Sequence, residues 1–171
     1  EVDDNVAVGY NAMGGAIGTE AVNDCVAVGA DALSGALEEE ADGIVAIGKS
    51  ALVANTSGAN NVAVGMESLH DVTIGGSNTA IGKYSGDTIV DGTENTCIGY
   101  ATRTSGTGSS NQSVIGRATI GVADDSVTLG NGDVTAVYMA SDSGATVYAD
   151  KYMSTTMPAF QAIPGAAQSN I

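Results

Sequence analysis

The chain has no tryptophan, one phenylalanine, two prolines and two cysteines among its 171 residues. Aromatics make up only 4% of it, which excludes a conventional core built on large rings. Basic residues are scarce too: five Lys and Arg stand against 20 Asp and Glu, for a formal charge of −15 and a sequence pI near 4.1. Such an acidic surface repels phosphates, so no nucleic-acid partner is expected. No apolar run reaches the ~20 residues of a membrane span, so no membrane insertion of this segment is expected either. The opening Glu1-Val2-Asp3-Asp4 lacks an initiator Met and a basic signal-peptide start, and reads as the beginning of an internal fragment or a mature product. Charge-driven disorder does not fit, because 43% of the residues are hydrophobic, led by Ala and Val.

Glycine, by contrast, is abundant at 24 residues, and it is periodic. A block of strand-forming residues closed by Gly reads Val6-Ala7-Val8-Gly9, Val26-Ala27-Val28-Gly29, Val45-Ala46-Ile47-Gly48 and Val62-Ala63-Val64-Gly65. It continues as Thr79-Ala80-Ile81-Gly82, Thr96-Cys97-Ile98-Gly99, Ser113-Val114-Ile115-Gly116 and Val127-Thr128-Leu129-Gly130. The steps between closing glycines are 20, 19, 17, 17, 17, 17 and 14. Three residues after most of them stands a small residue, often followed by an apolar one: Ala12-Met13, Ala32-Leu33, Ala51-Leu52, Ser68-Leu69, then Ser85, Thr102 and Thr119. Segments rich in Gly, Asn, Asp, Ser and Thr separate the copies, which is turn chemistry.

Units this short cannot hold a helix pair, and the blocks favour β-branched residues. The repeat therefore predicts an all-β parallel solenoid of about eight turns, one unit per turn, stacked at ~4.8 Å. Alternation puts Val6 and Val8 on one face and Ala7 on the other. The larger pair is expected to fill the inside of the turn. The alanine column, Ala7, Ala27, Ala46, Ala63 and Ala80 with Cys97 in the same place, is expected to lie outside as a flat interface for other chains. Gly9, Gly29, Gly48, Gly65, Gly82, Gly99, Gly116 and Gly130 supply the corners.

The block Asn61-Val62-Ala63-Val64-Gly65-Met66-Glu67-Ser68 resembles the head repeat of YadA-like trimeric autotransporter adhesins, over roughly residues 5 to 132. The resemblance implies a left-handed parallel β-roll, three chains packed about a common axis. That family's repeat is about 14 residues, so the longer steps here imply extra loop residues on the outer surface. The same repeat is similar to shaft segments of bacteriophage tail fibres, which also trimerise. No heptad pattern follows residue 130, as an adhesin stalk would require. The segment Met157-Pro158-Ala159-Phe160-Gln161-Ala162 resembles the opening strand of a C1q-like tip domain. The expected organisation is a roll over 1–132, a trimeric junction over 133–157 holding Tyr138, Tyr148 and Tyr152, and the start of a further module over 158–171.

Few residues suggest chemistry. His70 is the only histidine and reads as an exposed loop residue beside Asp71, because a triad or zinc site needs further partners. Glu38, Glu39, Glu40 and Asp42 read as a solvated charge cluster. Asp24, Asp42, Asp124 and Asp125 sit in comparable loops without the fixed register of calcium-binding rolls, so no metal site is expected. Cys25 and Cys97 lie four units apart, ~19 Å at ~4.8 Å per rung, too far for a disulfide; both are expected to be free, buried thiols. Asn55-Thr56-Ser57 and Asn111-Gln112-Ser113 match the glycosylation sequon and read as turns. No catalytic residue and no cofactor is expected. The sequence points to a homotrimeric structural and adhesive fibre of a virion that binds a host cell-surface receptor, a glycan or an outer-membrane component. A bacterial adhesin head and a glycan-depolymerising tailspike are the alternatives.

Overall fold

The structure is a computed structural model that describes residues 4–15, 22–38 and 41–137. Residues 138–157 of the expected junction, with Tyr138, Tyr148 and Tyr152, and all of the expected module over 158–171 lie outside the described residues. Among the described residues, eight short strands follow in chain order: β1 (Val6–Val8), β2 (Val26–Val28), β3 (Val45–Ile47), β4 (Val62–Val64), β5 (Thr79–Ile81), β6 (Thr96–Ile98), β7 (Gln112–Ile115) and β8 (Ser126–Leu129). They form one parallel sheet in the order β1 to β8. Each block pairs in register with the next, for example Val62↔Thr79, Ala63↔Ala80 and Val64↔Ile81. The described residues thus form a β-solenoid of about seven turns, one fewer than expected because eight rungs bound seven turns.

The glycine after each strand makes the first corner. Gly29 and Gly65 both have φ of 138°, and a methyl group on either would lie 2.6 and 2.5 Å from the carbonyl oxygen of the glycine one rung on. A side chain fits neither the dihedral nor the space. Two residues before most strands, and two and four residues after the corner glycines, further left-handed residues turn the chain. Asn60, Ser77 and Glu94 represent the first group (φ 57°, 59° and 61°), and Glu67 and Leu69 the second (φ 55° and 49°). Leu33, Leu52 and Leu69 hold this conformation although it costs a non-glycine residue ~1–2 kcal/mol. Complete burial of each leucine side chain offsets that cost by ~1.5–3 kcal/mol.

Those leucines decide which strand face is inside, and they overturn the expected orientation. Ala27, Ala46, Ala63, Ala80 and Cys97 are fully buried within the single chain, as is Val114 in the same column. Only Ala7, on the first rung, is exposed. The flanking valines and isoleucines point outward. The physical reason is complementarity across a thin interior: the wall beyond the glycine corner sends in Leu33, Leu52 and Leu69, with Ile44, Val72 and Ile89 beside them. Small alanines on the strand wall leave room for these side chains. A methyl group on Gly86 would lie 2.7 Å from Leu69 Cδ2, 3.4 Å from Ile89 Cδ1 and 3.5 Å from Ala80 Cβ, so both walls meet there.

The interior changes character along the stack. In the second and third rungs the residue before the strand is Cys25 or Ile44, and the core is apolar. In the fourth to sixth rungs that position holds Asn61, Asn78 and Asn95, and in the seventh the aligned residue is Gln112, the first of β7; all four are buried. Each asparagine accepts through Oδ1 the backbone N–H one rung on, at 2.9 to 3.0 Å. Its Nδ2 donates to a loop carbonyl: Gly75, Gly92 and Ser109 in turn, at 2.8, 2.8 and 2.6 Å. A second polar column runs through Ser68, Ser85, Thr102 and Thr119. Ser85 Oγ donates or accepts at 2.7 Å from Thr102 Oγ1 and lies 2.7 Å from the Cys97 carbonyl oxygen. These ladders satisfy buried backbone groups that a solenoid corner would otherwise strand.

Candidate functional site

Two surfaces depart from what the repeat needs for folding. The first is the outer face of the sheet. The residue directly before the corner glycine is aliphatic in all eight rungs: Val8, Val28, Ile47, Val64, Ile81, Ile98, Ile115 and Leu129. Most of this column is well exposed, Val8 at 56% and Ile81 at 43%. Two residues earlier stands Val in four rungs, then Thr79, Thr96 and Ser113, then Val127. A sheet with one solvated face normally alternates apolar inside and polar outside. Here one outward column stays apolar over seven rung spacings, about 34 Å at ~4.8 Å each.

The second surface is a groove of about 380 Å³ beyond the corner glycines of the fourth, fifth and sixth rungs, lined by Glu67, His70, Asp71, Tyr84, Asp87, Tyr100, Ala101 and Arg103. The Tyr84 and Tyr100 rings meet edge to face, 6.1 Å between centroids at 68°. Lys83 Nζ stands 4.6 Å from the Tyr84 centroid. Arg103 grips Asp87 with two bonds, Nε to Oδ1 at 3.1 Å and Nη2 to Oδ2 at 3.3 Å. His70 Nδ1 is 2.6 Å from Asp71 Oδ1, both side chains well exposed. Stacking thus brings together residues 36 positions apart, from Glu67 to Arg103.

His70 is accordingly a groove residue as well as an exposed loop histidine. Glu38 is exposed, Asp42 accepts the Asn23 backbone N–H at 2.6 Å through Oδ1, and Glu39 and Glu40 lie outside the described residues. Asp124 Oδ1 accepts from the Ser110 backbone N–H and Gln112 Nε2, at 3.0 and 2.9 Å. The first of these bonds, then the second, holds its carboxyl below the usual carboxylate range. Asp125 accepts from Asn111 Nδ2 at 2.8 Å. No three His, Cys, Asp or Glu side chains come together to hold a metal ion among the described residues. Asn55 is fully buried and bonded to the Gly58 carbonyl, so its sequon is closed to glycosylation in the folded chain. Cys25 and Cys97 are free and buried, as expected. Burial pushes both thiols up, that of Cys97 to about 11.

Sequence reasoning missed the asparagine ladder, reading these residues as turn chemistry. Its signal was present: Asn61, Asn78 and Asn95 recur at 17-residue steps, always directly before the strand. The groove was missed because equivalent repeat positions carry unlike residues: Glu67, Tyr84 and Ala101 all stand two residues after their corner glycines, and His70 and Asp87 both stand five after theirs. No protein-family model and no curated protein matches the chain.

Proposed function

We propose that the chain is a segment of a homotrimeric structural and adhesive fibre, a bacteriophage tail fibre with a left-handed YadA-like roll that mediates host-cell attachment. The observation that carries this reading is the outward aliphatic column, apolar in every rung. An outward ladder of Val, Ile and Leu over eight rungs marks an interaction surface. Stacking runs along one direction, so three such sheets can face a common axis and close a ring of identical contacts. The Val and Ile face is the trimer interface in this reading, in place of the alanine column. Its partner on the host is a cell-surface glycan or outer-membrane component.

The test is attachment. Fluorescently labelled protein is expected to bind host bacterial cells saturably and to compete with virion adsorption. Binding to extracellular-matrix protein without bacterial binding would transfer the reading to an adhesin head. Shortening of bacterial polysaccharide on incubation would transfer it to a depolymerising tailspike. Binding to no surface would overturn an adhesive role.

A further inference from the structure

We infer that the groove between the fourth and sixth rungs is a binding subsite for neutral pyranose sugars. The inference rests on the adhesive reading and names the ligand class. The roll is made of small aliphatic and turn residues, and stacking it requires neither aromatic nor cationic side chains. Yet two of the three aromatic residues among the described positions, Tyr84 and Tyr100, stand in this groove, with the chain's only histidine and with Arg103. Tyr10, the third, is solitary on the first rung and 82% exposed. Residues that the architecture does not need, collected from three successive rungs, mark a site grafted onto the scaffold.

The groove chemistry matches a sugar ring. At about 380 Å³ it falls at the small end of ligand sites, enough for one or two pyranose units. Lys83 covers a face of Tyr84, and Tyr100, 49% exposed, offers ring surface for the C–H face of a pyranose. The bidentate bond to Asp87 fixes Arg103 and leaves its remaining N–H groups to donate to a ring or hydroxyl oxygen. Glu67 and Asp71 supply carboxylate oxygens that accept from hydroxyl groups. The wall carries three carboxylates against one guanidinium, on a chain of charge −15, and this repels sialic and uronic acids. Neutral hexoses and N-acetylhexosamines remain. The groove lies past the corner glycine, off the sheet face, so a sugar can bind while the apolar column is covered.

The experiment is saturation-transfer NMR and titration of the full chain with neutral oligosaccharides of glucose, galactose, mannose and N-acetylglucosamine, beside sialylated and uronate oligosaccharides. Neutral sugars are expected to bind, and Tyr100→Ala to weaken the best of them roughly tenfold. Asp71→Asn, a milder change on an exposed side chain, is expected to weaken it in the same direction. Tyr10→Ala is the control: it removes an exposed tyrosine from the equivalent position after its own corner glycine and is expected to change nothing. Equal binding by wild type and both groove variants, preference for the acidic sugars, or no sugar binding at all would each overturn the proposal. Failure of the adhesive reading looks different, since labelled protein would then bind neutral sugars in solution and attach to no cell. The converse result, attachment to cells unaffected by Tyr100→Ala, would leave adhesion standing and remove the groove from it.

Discussion

Asn95 donates twice to the Oδ1 of Asn78, once from its backbone N–H and once from Nδ2, each at 3.0 Å across 17 residues of sequence. Asn78 repeats the pattern on Asn61, and its own Nδ2 donates to the Gly92 carbonyl. One side chain therefore stitches three rungs at a point sealed from water. Leaving a buried donor or acceptor unpaired costs ~1–3 kcal/mol. Asn78→Ala strands the Asn95 N–H and the Gly92 carbonyl together, and should lower stability by ~2–4 kcal/mol. Chemical denaturation at fixed protein concentration measures this. A loss below ~0.5 kcal/mol would mean that water or relaxation replaces the ladder.

Inside and outside of the sheet respond differently to substitution. Ala63→Leu overfills the interior between the strand wall and the leucines, and should destabilise each roll by ~1–3 kcal/mol or more. Ile81→Asp changes an outward side chain and should leave the roll folded by circular dichroism while dissociating the proposed trimer. If Ala63→Leu dissociates the oligomer without unfolding the chain, the two faces have been exchanged.

Cys97 provides a probe of the core. Desolvation raises its thiol to about 11, with the Thr102 hydroxyl opposing and Asp87 adding to the rise. Its folded pKa stands above the ordinary 9.0, so the stability it contributes is complete below 9 and is lost as pH rises through 11. The thiolate is the reactive form, so alkylation at pH 8 should be slow in the folded protein and fast in denaturant. Rapid modification of Cys97 by iodoacetamide under native conditions would contradict this burial.

Asp124 behaves in the opposite sense. Hydrogen bonds from Ser110 and Gln112 depress its folded pKa, so its contribution is present above the ordinary carboxylate range and lost as pH falls through the depressed value. Acid should therefore loosen the contact between the seventh and eighth rungs. Amide exchange at Ser110 is expected to accelerate in acid relative to Ser77, and Asp124→Asn should remove most of that difference. Equal protection at both sites across the titration would show that Asp124 does not anchor the last rung.

The stack itself was legible because its signal is repetitive: a glycine recurring at 17 residues locks Val62, Thr79 and Thr96 into one register, and parallel pairing follows. The orientation of the strands was not. Val-Ala-Val alternates equally well with either face inward, and burial of the larger residues was the natural expectation. The deciding partners, Leu52 and Leu69, come from the next wall of the turn, where each follows its corner glycine by four residues and is held at positive φ. The recurring small and apolar pair after the corner glycine marks these leucines, but its turn-rich setting does not announce that they point inward. The groove was illegible for a related reason: Glu67, Tyr84 and Tyr100 carry no shared motif and become neighbours only when the rungs are stacked.

The account turns on what covers the aliphatic column of Val64, Ile81 and Ile98. Sedimentation equilibrium of the purified chain at micromolar concentration tests it directly. Three chains of 16.8 kDa predict a single species of about 50 kDa. A folded species at 16.8 kDa, stable with this column facing water, would contradict the account.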